Sequence, residues 1–337
     1  MARARHARLL PRPGRAGGDA HRADRQARHA DRGADLTERE VGLGLQSDKT
    51  VDEYEAIARR GEDAGVDVVS VFHDLFFQPA IFPLLVMARV TDRVRLGPAA
   101  LNPQTLHPVE IAGQIAALDL ASRGRAYLGL VTGSWLEQLG LDERRPLSRL
   151  REAVEVVRRL LAGDRSGFSG ERFRLAAGAG LAYEPLRGEV PLMIGTWRPR
   201  AAAYAAEVAE EVKIGGSANP DMVRLMRSWL GDDGPRIVVG AVTVVDGDGS
   251  RARAHARARV QMYLDVVGGL DLTLELRPGQ PPPLEKFVIA GTPQEVARHA
   301  AALYDAGAHR VEFGTPQGLT TRHGVELLCE RVLPLLR

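Results

Sequence analysis

His73 and Asp74 stand side by side where an apolar run, Val66 to Phe72, gives out. Either side chain could bond a ligand ring or move a proton. Asp74 could equally cap the helix that follows. A second apolar run, Tyr127 to Val131, ends in Thr132-Gly133-Ser134-Trp135. A glycine there lets a ligand come close to the backbone, and a tryptophan can wall a flat ring or simply pack. Glu137, just beyond, is a candidate acid. His107 directly precedes Pro108 at a helix start, which points to a structural role.

Two further loops share one design. Gly195-Thr196-Trp197-Arg198-Pro199 and Gly215-Gly216-Ser217-Ala218-Asn219-Pro220 each follow an apolar run with glycine and then proline at the first helical position. Free amide N–H groups at such a helix start attract anions, and Arg198 could add a charged fork. Each loop alone is also an ordinary strand-to-helix turn. Together, on one face of a sheet, they point to a phosphate.

The elements that position these loops alternate along the chain. Apolar runs at 41–45, 66–72, 94–101, 127–131, 190–194, 211–214, 237–245 and 309–313 read as strands. Helical patterns lie between them. Thr50 caps one that Gly65 stops, and Gly124 stops another that runs from Pro108 to Ala121. Others cover 79–90 and 147–161, begin at Pro199 and Pro220, and cover 250–267, 293–306 and 322–335. Residues 162–190 form a Gly-rich excursion. Eight strands and about eight helices over roughly 297 residues have the period and size of a (β/α)8 barrel. A doubly wound sheet is the alternative, but it has fewer strands and a GxGxxG turn after strand one. Gln46-Ser47-Asp48 stands there instead. The expected fold class is α/β, a TIM barrel with an insertion after strand seven. That insertion is the proline-rich stretch 268–288, with Pro278 and Pro281 to Pro283. In such folds the loops after the strands share one face, where ligands bind.

The remaining features exclude more than they assign. A chain of 337 residues, 45% hydrophobic and 26% charged, has ordinary globular composition and ample material for a core. No apolar run is long enough for a membrane span. The single cysteine, Cys329, rules out a disulfide framework; its place in an apolar helical pattern predicts a buried thiol. A reducing, cytoplasmic setting fits it. Residues 1–40 hold ten arginines and six acids, a balance of +4; the whole chain carries +2, so the rest carries −2. A mildly acidic body gives no nucleic-acid footprint. Arg251, Arg253, Arg257 and Arg259 line one helix and read as a solvated surface. HExxH, GxSxG, P-loop and EF-hand patterns are missing, which disfavours the hydrolases built on them. No metal is expected.

Four segments carry a resemblance. They are VVSVFHDLFFQP, VRLGPAALNPQTLHPVEIAGQIAALDLASRGRAYLGL, VPLMIGTWRPRAAAYAAEVAEEVKIGGSANP and AGTPQEVARHAAALYDAGAHRVEFG. Together they resemble the luciferase-like superfamily of flavin and deazaflavin oxidoreductases, over about residues 41–335. Within it they are similar to the branch of methylenetetrahydromethanopterin reductase, which uses coenzyme F420. The resemblance implies hydride exchange between the deazaflavin and a small organic substrate. An FMN-dependent monooxygenase using reduced flavin and oxygen is the alternative, and a non-catalytic flavin-binding barrel a third. It places Asp74, Ala99, Ala100, Asn102, Thr132 and Gly133 by the cofactor ring. Gly195, Thr196 and Arg198 would hold the phosphate end, with Gly216 and Ser217 nearby. Asp74, His73 and Glu137 are the candidates for acid or base. It further implies a homo-oligomer and a cis peptide between Ala99 and Ala100. Two departures stand out. The family often has Asp-His after strand two, where this chain has His73-Asp74. Some deazaflavin members place an acid where this chain has Ser134.

Residues 1–38 are Arg, Ala, Gly and His rich, without apolar period or a signal-peptide core. They read as a disordered basic tail or an extension from a misplaced start codon, with 39–337 as the single barrel domain. A basic arm or a transit peptide is the other reading. Deleting 1–38 is expected to leave melting temperature and cofactor affinity unchanged; a drop of several degrees in a thermal melt would show that the tail packs on the barrel.

Overall fold

Eight parallel strands close around a barrel axis in the order β3-β2-β1-β11-β9-β8-β7-β4. The computed structural model describes residues 39–141, 145–277 and 280–337. The expected tail and Pro278 lie outside these residues. In chain order the elements are β1 (Glu40–Leu45), α1 (Val51–Asp63), β2 (Val68–Val71), α2 (Ile81–Ala88), β3 (Arg95–Pro98), α3 (Pro108–Ala121), β4 (Leu128–Leu130) and α4 (Pro146–Leu161). A small antiparallel hairpin, β5 (Phe168–Ser169) and β6 (Arg174–Leu175), follows. Then come β7 (Leu192–Gly195), α5 (Pro199–Val208), β8 (Glu211–Gly215), α6 (Pro220–Leu230), β9 (Arg236–Val245), α7 (Gly249–Val267), β10 (Val288–Gly291), α8 (Pro293–Asp305), β11 (Arg310–Gln317) and α9 (Thr321–Leu327). Single bridges Leu96–Ala126 and Leu101–Leu130 join β3 to β4 and nearly complete the ring.

All eight expected barrel strands are present. Two pieces were not foreseen. The excursion contains the β5–β6 hairpin, and the insertion ends in β10, which pairs with residues 242–245 of β9. β9 is ten residues long. β8 takes the first half of its edge and β10 the second. The insertion therefore re-enters the sheet beside the barrel mouth. The last helix is also shorter than the pattern suggests, since the regular α-helix ends at Leu327 and tighter and wider turns follow.

Helix starts follow local chemistry. Thr50 and Glu53 form a capping box, as do Thr292 and Glu295. His107 caps α3 through Nδ1, which accepts from Val109 N at 3.2 Å, in line with its expected structural role. Cys329 is buried, and burial pushes its thiol up to about 11. No described helix is long and apolar enough to cross a membrane.

The barrel interior is charged. Arg310, fully buried, forks onto Glu211 with two bonds of 2.7 Å and reaches Glu312 Oε1 at 2.9 Å. Lys213 binds the other oxygen of Glu312. Ser70 donates to Glu312 and meets the Tyr127 hydroxyl at 2.7 Å. Burial alone would raise Glu211, but Arg310 and Arg95 bring it down to about 2. Glycines opposite make the room: a Cβ on Gly42 would strike the Glu312 stem, and one on Gly97 the Tyr127 ring.

At the foot of the barrel, His309 Nδ1 accepts from Ile237 N at 3.1 Å. Burial, with Arg227 and Arg236 nearby, holds this imidazole down at about 4. An unfolded histidine titrates near ~6.5. Between those values the unfolded chain binds a proton that the native state refuses, so stability is full above the upper one and falls as pH drops toward 4. Thermal melts from pH 7 to 4 should show this slope, and His309→Gln, which keeps an acceptor, should flatten it.

Candidate functional site

The loops after the strands meet at the barrel mouth in two groups. The first follows β2, β3 and β4. His73 Nδ1 accepts from Ala80 N at 3.3 Å at the start of α2. Burial lowers its pKa, so the ring is neutral with its hydrogen on Nε2. His73 thus does the helix-start work that the sequence offered to Asp74. The Asp74 carboxyl is free of that duty. Burial raises its pKa, and the facing Gln46 side chain offsets part of the rise. Gln46 is itself buried, and its Nε2 has no partner in good hydrogen-bond geometry. A carboxyl raised by burial beside a buried amide donor is an arrangement that polar ligand atoms can complete.

Asn102 is buried, and its Oδ1 accepts from Gln104 N at 2.9 Å. Gly133, at φ 96°, lies against the Asn102 amide, where any Cβ would strike Nδ2. Thr132 is half-buried beside them. The Ala99–Ala100 peptide is cis, as the resemblance implied. Glu137 is exposed on a single 3-10 turn, Leu136–Leu139. Trp135 precedes that turn at φ 55°, a left-handed conformation that side chains of its size rarely adopt.

The second group follows β7 and β8, and here the two similar loops part. Thr196 N donates to Lys213 O at 2.9 Å, and Thr196 Oγ1 accepts from Arg198 N at 3.0 Å. Trp197 is buried; its Nε1 donates to Gly215 O at 2.9 Å and its ring stacks on Phe287. Arg198 is left exposed at the start of α5, a helix with no side-chain cap and no acid in its first turn. α6 is different. Asn219 caps it by accepting from Asp221 N at 3.0 Å, and Asp221 sits in its first turn. Ser217 is fully buried and its hydroxyl accepts from Asn219 N at 3.2 Å. Gly216 N donates to Gly240 O. Ser217, expected near a ligand phosphate, is fully buried, and its hydroxyl is used by the protein's own backbone. Of the two helix starts, the one at α5 has no side-chain cap.

The sequence reading missed Gln46, Lys213, Glu312 and Tyr263. EVKI and RVEF carried a signal, since charge at every second strand residue places charge on one face of the sheet. Tyr263, on α7, meets Trp135 edge-on with centroids 5.7 Å apart. Nothing in the helical pattern marked it.

The profile of luciferase-like monooxygenases matches residues 32–310. The chain belongs to that family. This family member is 27% identical over 335 residues to 5,10-methylenetetrahydromethanopterin reductase of Archaeoglobus fulgidus, covering 88% of this chain and 99% of that one. It is 34% identical over 172 residues to F420-dependent glucose-6-phosphate dehydrogenase of Nocardia farcinica, covering 46% and 50% of the two chains. The coenzyme F420 dependent tetrahydromethanopterin reductase from Methanopyrus kandleri superposes with a TM-score of 0.75 at 22% identity, covering 89% of this chain and 100% of that one. The luciferase-like member described here is an α/β barrel oxidoreductase.

Gly133→Ala should lower melting temperature by several degrees, since a strained φ of this kind costs about 1–3 kcal/mol. It should also weaken cofactor binding. Differential scanning fluorimetry and a binding titration on the same preparation check both.

Proposed function

We propose that this protein exchanges hydride between coenzyme F420 and a small organic substrate. The observation that carries the reading is the two-sided mouth, with an uncapped, arginine-flanked helix start on one side and Asp74, Asn102 and Gly133 on the other. The residues present fit the group. Gly195 is in register with Lys213, which points inward, and Gly215 continues the inner face of β8. A Cβ on Gly215 would meet no protein atom, whereas one on Gly195 would strike the Val131 side chain, so the open space lies at Gly215.

Arg198 and the free amides of α5 would hold the phosphate, and Thr132 and Gly133 would lie by the ring. The deazaflavin supplies hydride-transfer chemistry when bound. Asp74, whose pKa burial raises, would hold the proton that a substrate heteroatom gains on reduction and would take it back on oxidation. His73, neutral and spent on α2, positions this loop. We also infer a homo-oligomer, on family resemblance, and a cytoplasmic setting, which the single unreactive thiol supports.

The family's description favours one second reading, an FMN-dependent monooxygenase using the same phosphate loop. Titrating the purified protein with F420 and with FMN, in air and without oxygen, separates them by absorption spectrum and oxygen uptake. F420 should bind, and Arg198→Ala should weaken it roughly tenfold or more, because a charge-assisted hydrogen bond contributes about 1.5–3 kcal/mol. Circular dichroism should not change. Tight FMN binding with oxygen uptake, and none of F420, would overturn the proposal in favour of the second reading.

A further inference from the structure

The last turns of α7 bring an aromatic side chain to the mouth. The end of α7 leans over the loops: Val267 lies beside Gly216, and Tyr263 sets its ring at 77° to that of Trp135. Both residues are half-buried. Burial raises the Tyr263 phenol, and Asp74 nearby raises it further. The buried Gln46 side chain faces Asp74. An acid, an amide and two aromatics thus surround this space.

Among the described residues, the cations nearby have partners of their own. Lys49 Nζ holds Asp48 and Gln46 O, Lys213 holds Glu312, and Lys286 holds Asn219 and Asp221. Arg251 pairs with Asp246, and Arg259, one turn before Tyr263, donates to His255. Arg198 stands on the phosphate side. A substrate with its own phosphate would meet a carboxyl and ring edges, and the lysines among the described residues are already paired with carboxylates. A flat, uncharged one would bury its faces and find a proton donor and an amide at its polar end.

We propose that Trp135 and Tyr263 form the substrate-side wall of the cofactor site, and that this wall selects an uncharged, flat, ring-bearing substrate over a phosphorylated one. The inference rests on the functional reading above. Its test is calorimetry or saturation-transfer NMR with acetophenone and with glucose 6-phosphate as probes, on the protein alone and after loading with F420. Acetophenone should bind at least about tenfold more tightly than glucose 6-phosphate, and Tyr263→Ala and Trp135→Ala should each weaken it roughly five- to tenfold. Tyr263→Phe should retain it, and F420 affinity and melting temperature should hold in the Tyr263 variants. Equal or tighter binding of glucose 6-phosphate overturns the proposal. So does Tyr263→Ala with unchanged acetophenone affinity, a variant at a half-buried helix position that does not rest on Trp135 folding. Failure of wild-type protein to bind F420 overturns the functional reading instead, and the cofactor-free titration still decides the wall.

Discussion

Everything in this barrel depends on matching the charge of Arg310. A guanidinium taken fully out of water costs several kcal/mol unless each of its donors is met. Glu211 of β8 and Glu312 of β11 meet three of them, and Glu40 of β1 lies 3.4 Å from Nη1. A slip of one residue in any of these strands would turn its carboxylate outward and leave the charge unpaired. The network therefore fixes register where apolar packing alone would tolerate alternatives. It also explains the inward glycines. Long charged side chains fill an eight-stranded barrel only if the facing positions carry nothing.

The same network reaches the mouth. Lys213 binds Glu312 and lies 5.5 Å from the centre of the Phe72 ring, the residue before His73 and Asp74. Its backbone oxygen holds Thr196 N in the phosphate-side loop. One residue of β8 thus touches both halves of the site, through its ammonium on one side and its carbonyl on the other. The charged interior both closes the barrel and spaces the loops that do chemistry.

The barrel was legible because its signals are local. Strand runs, the Thr50 cap, Pro108 after His107 and Pro199 after Arg198 each specify a boundary within a few residues. The unread parts are pairings between distant segments. β10 is four residues long and becomes a strand only because β8 ends at Gly215 and leaves the edge of β9 open. The Phe168–Leu175 hairpin is too short to have a period. Asp74 and His73 could not be told apart in sequence, because the choice depends on which one reaches Ala80 N. Tyr263 could not be found at all, since its meaning comes from Trp135, more than a hundred residues earlier.

The two glycine-proline loops show how far similarity of sequence can mislead about anion binding. Both start a helix with proline at its first position, and both look open. What separates them is the residue before the proline. Asn219 turns its own side chain onto Asp221 N and takes the place an anion would occupy. It is held there by Asp271, Thr273 and Lys286 from the insertion. Arg198 cannot accept a hydrogen bond, so it leaves the amides of α5 unspent and adds a positive charge to the helix dipole. A cap and an anion compete for the same donors. In this chain the competition is decided by one acceptor side chain, present at the start of α6 and missing at the start of α5.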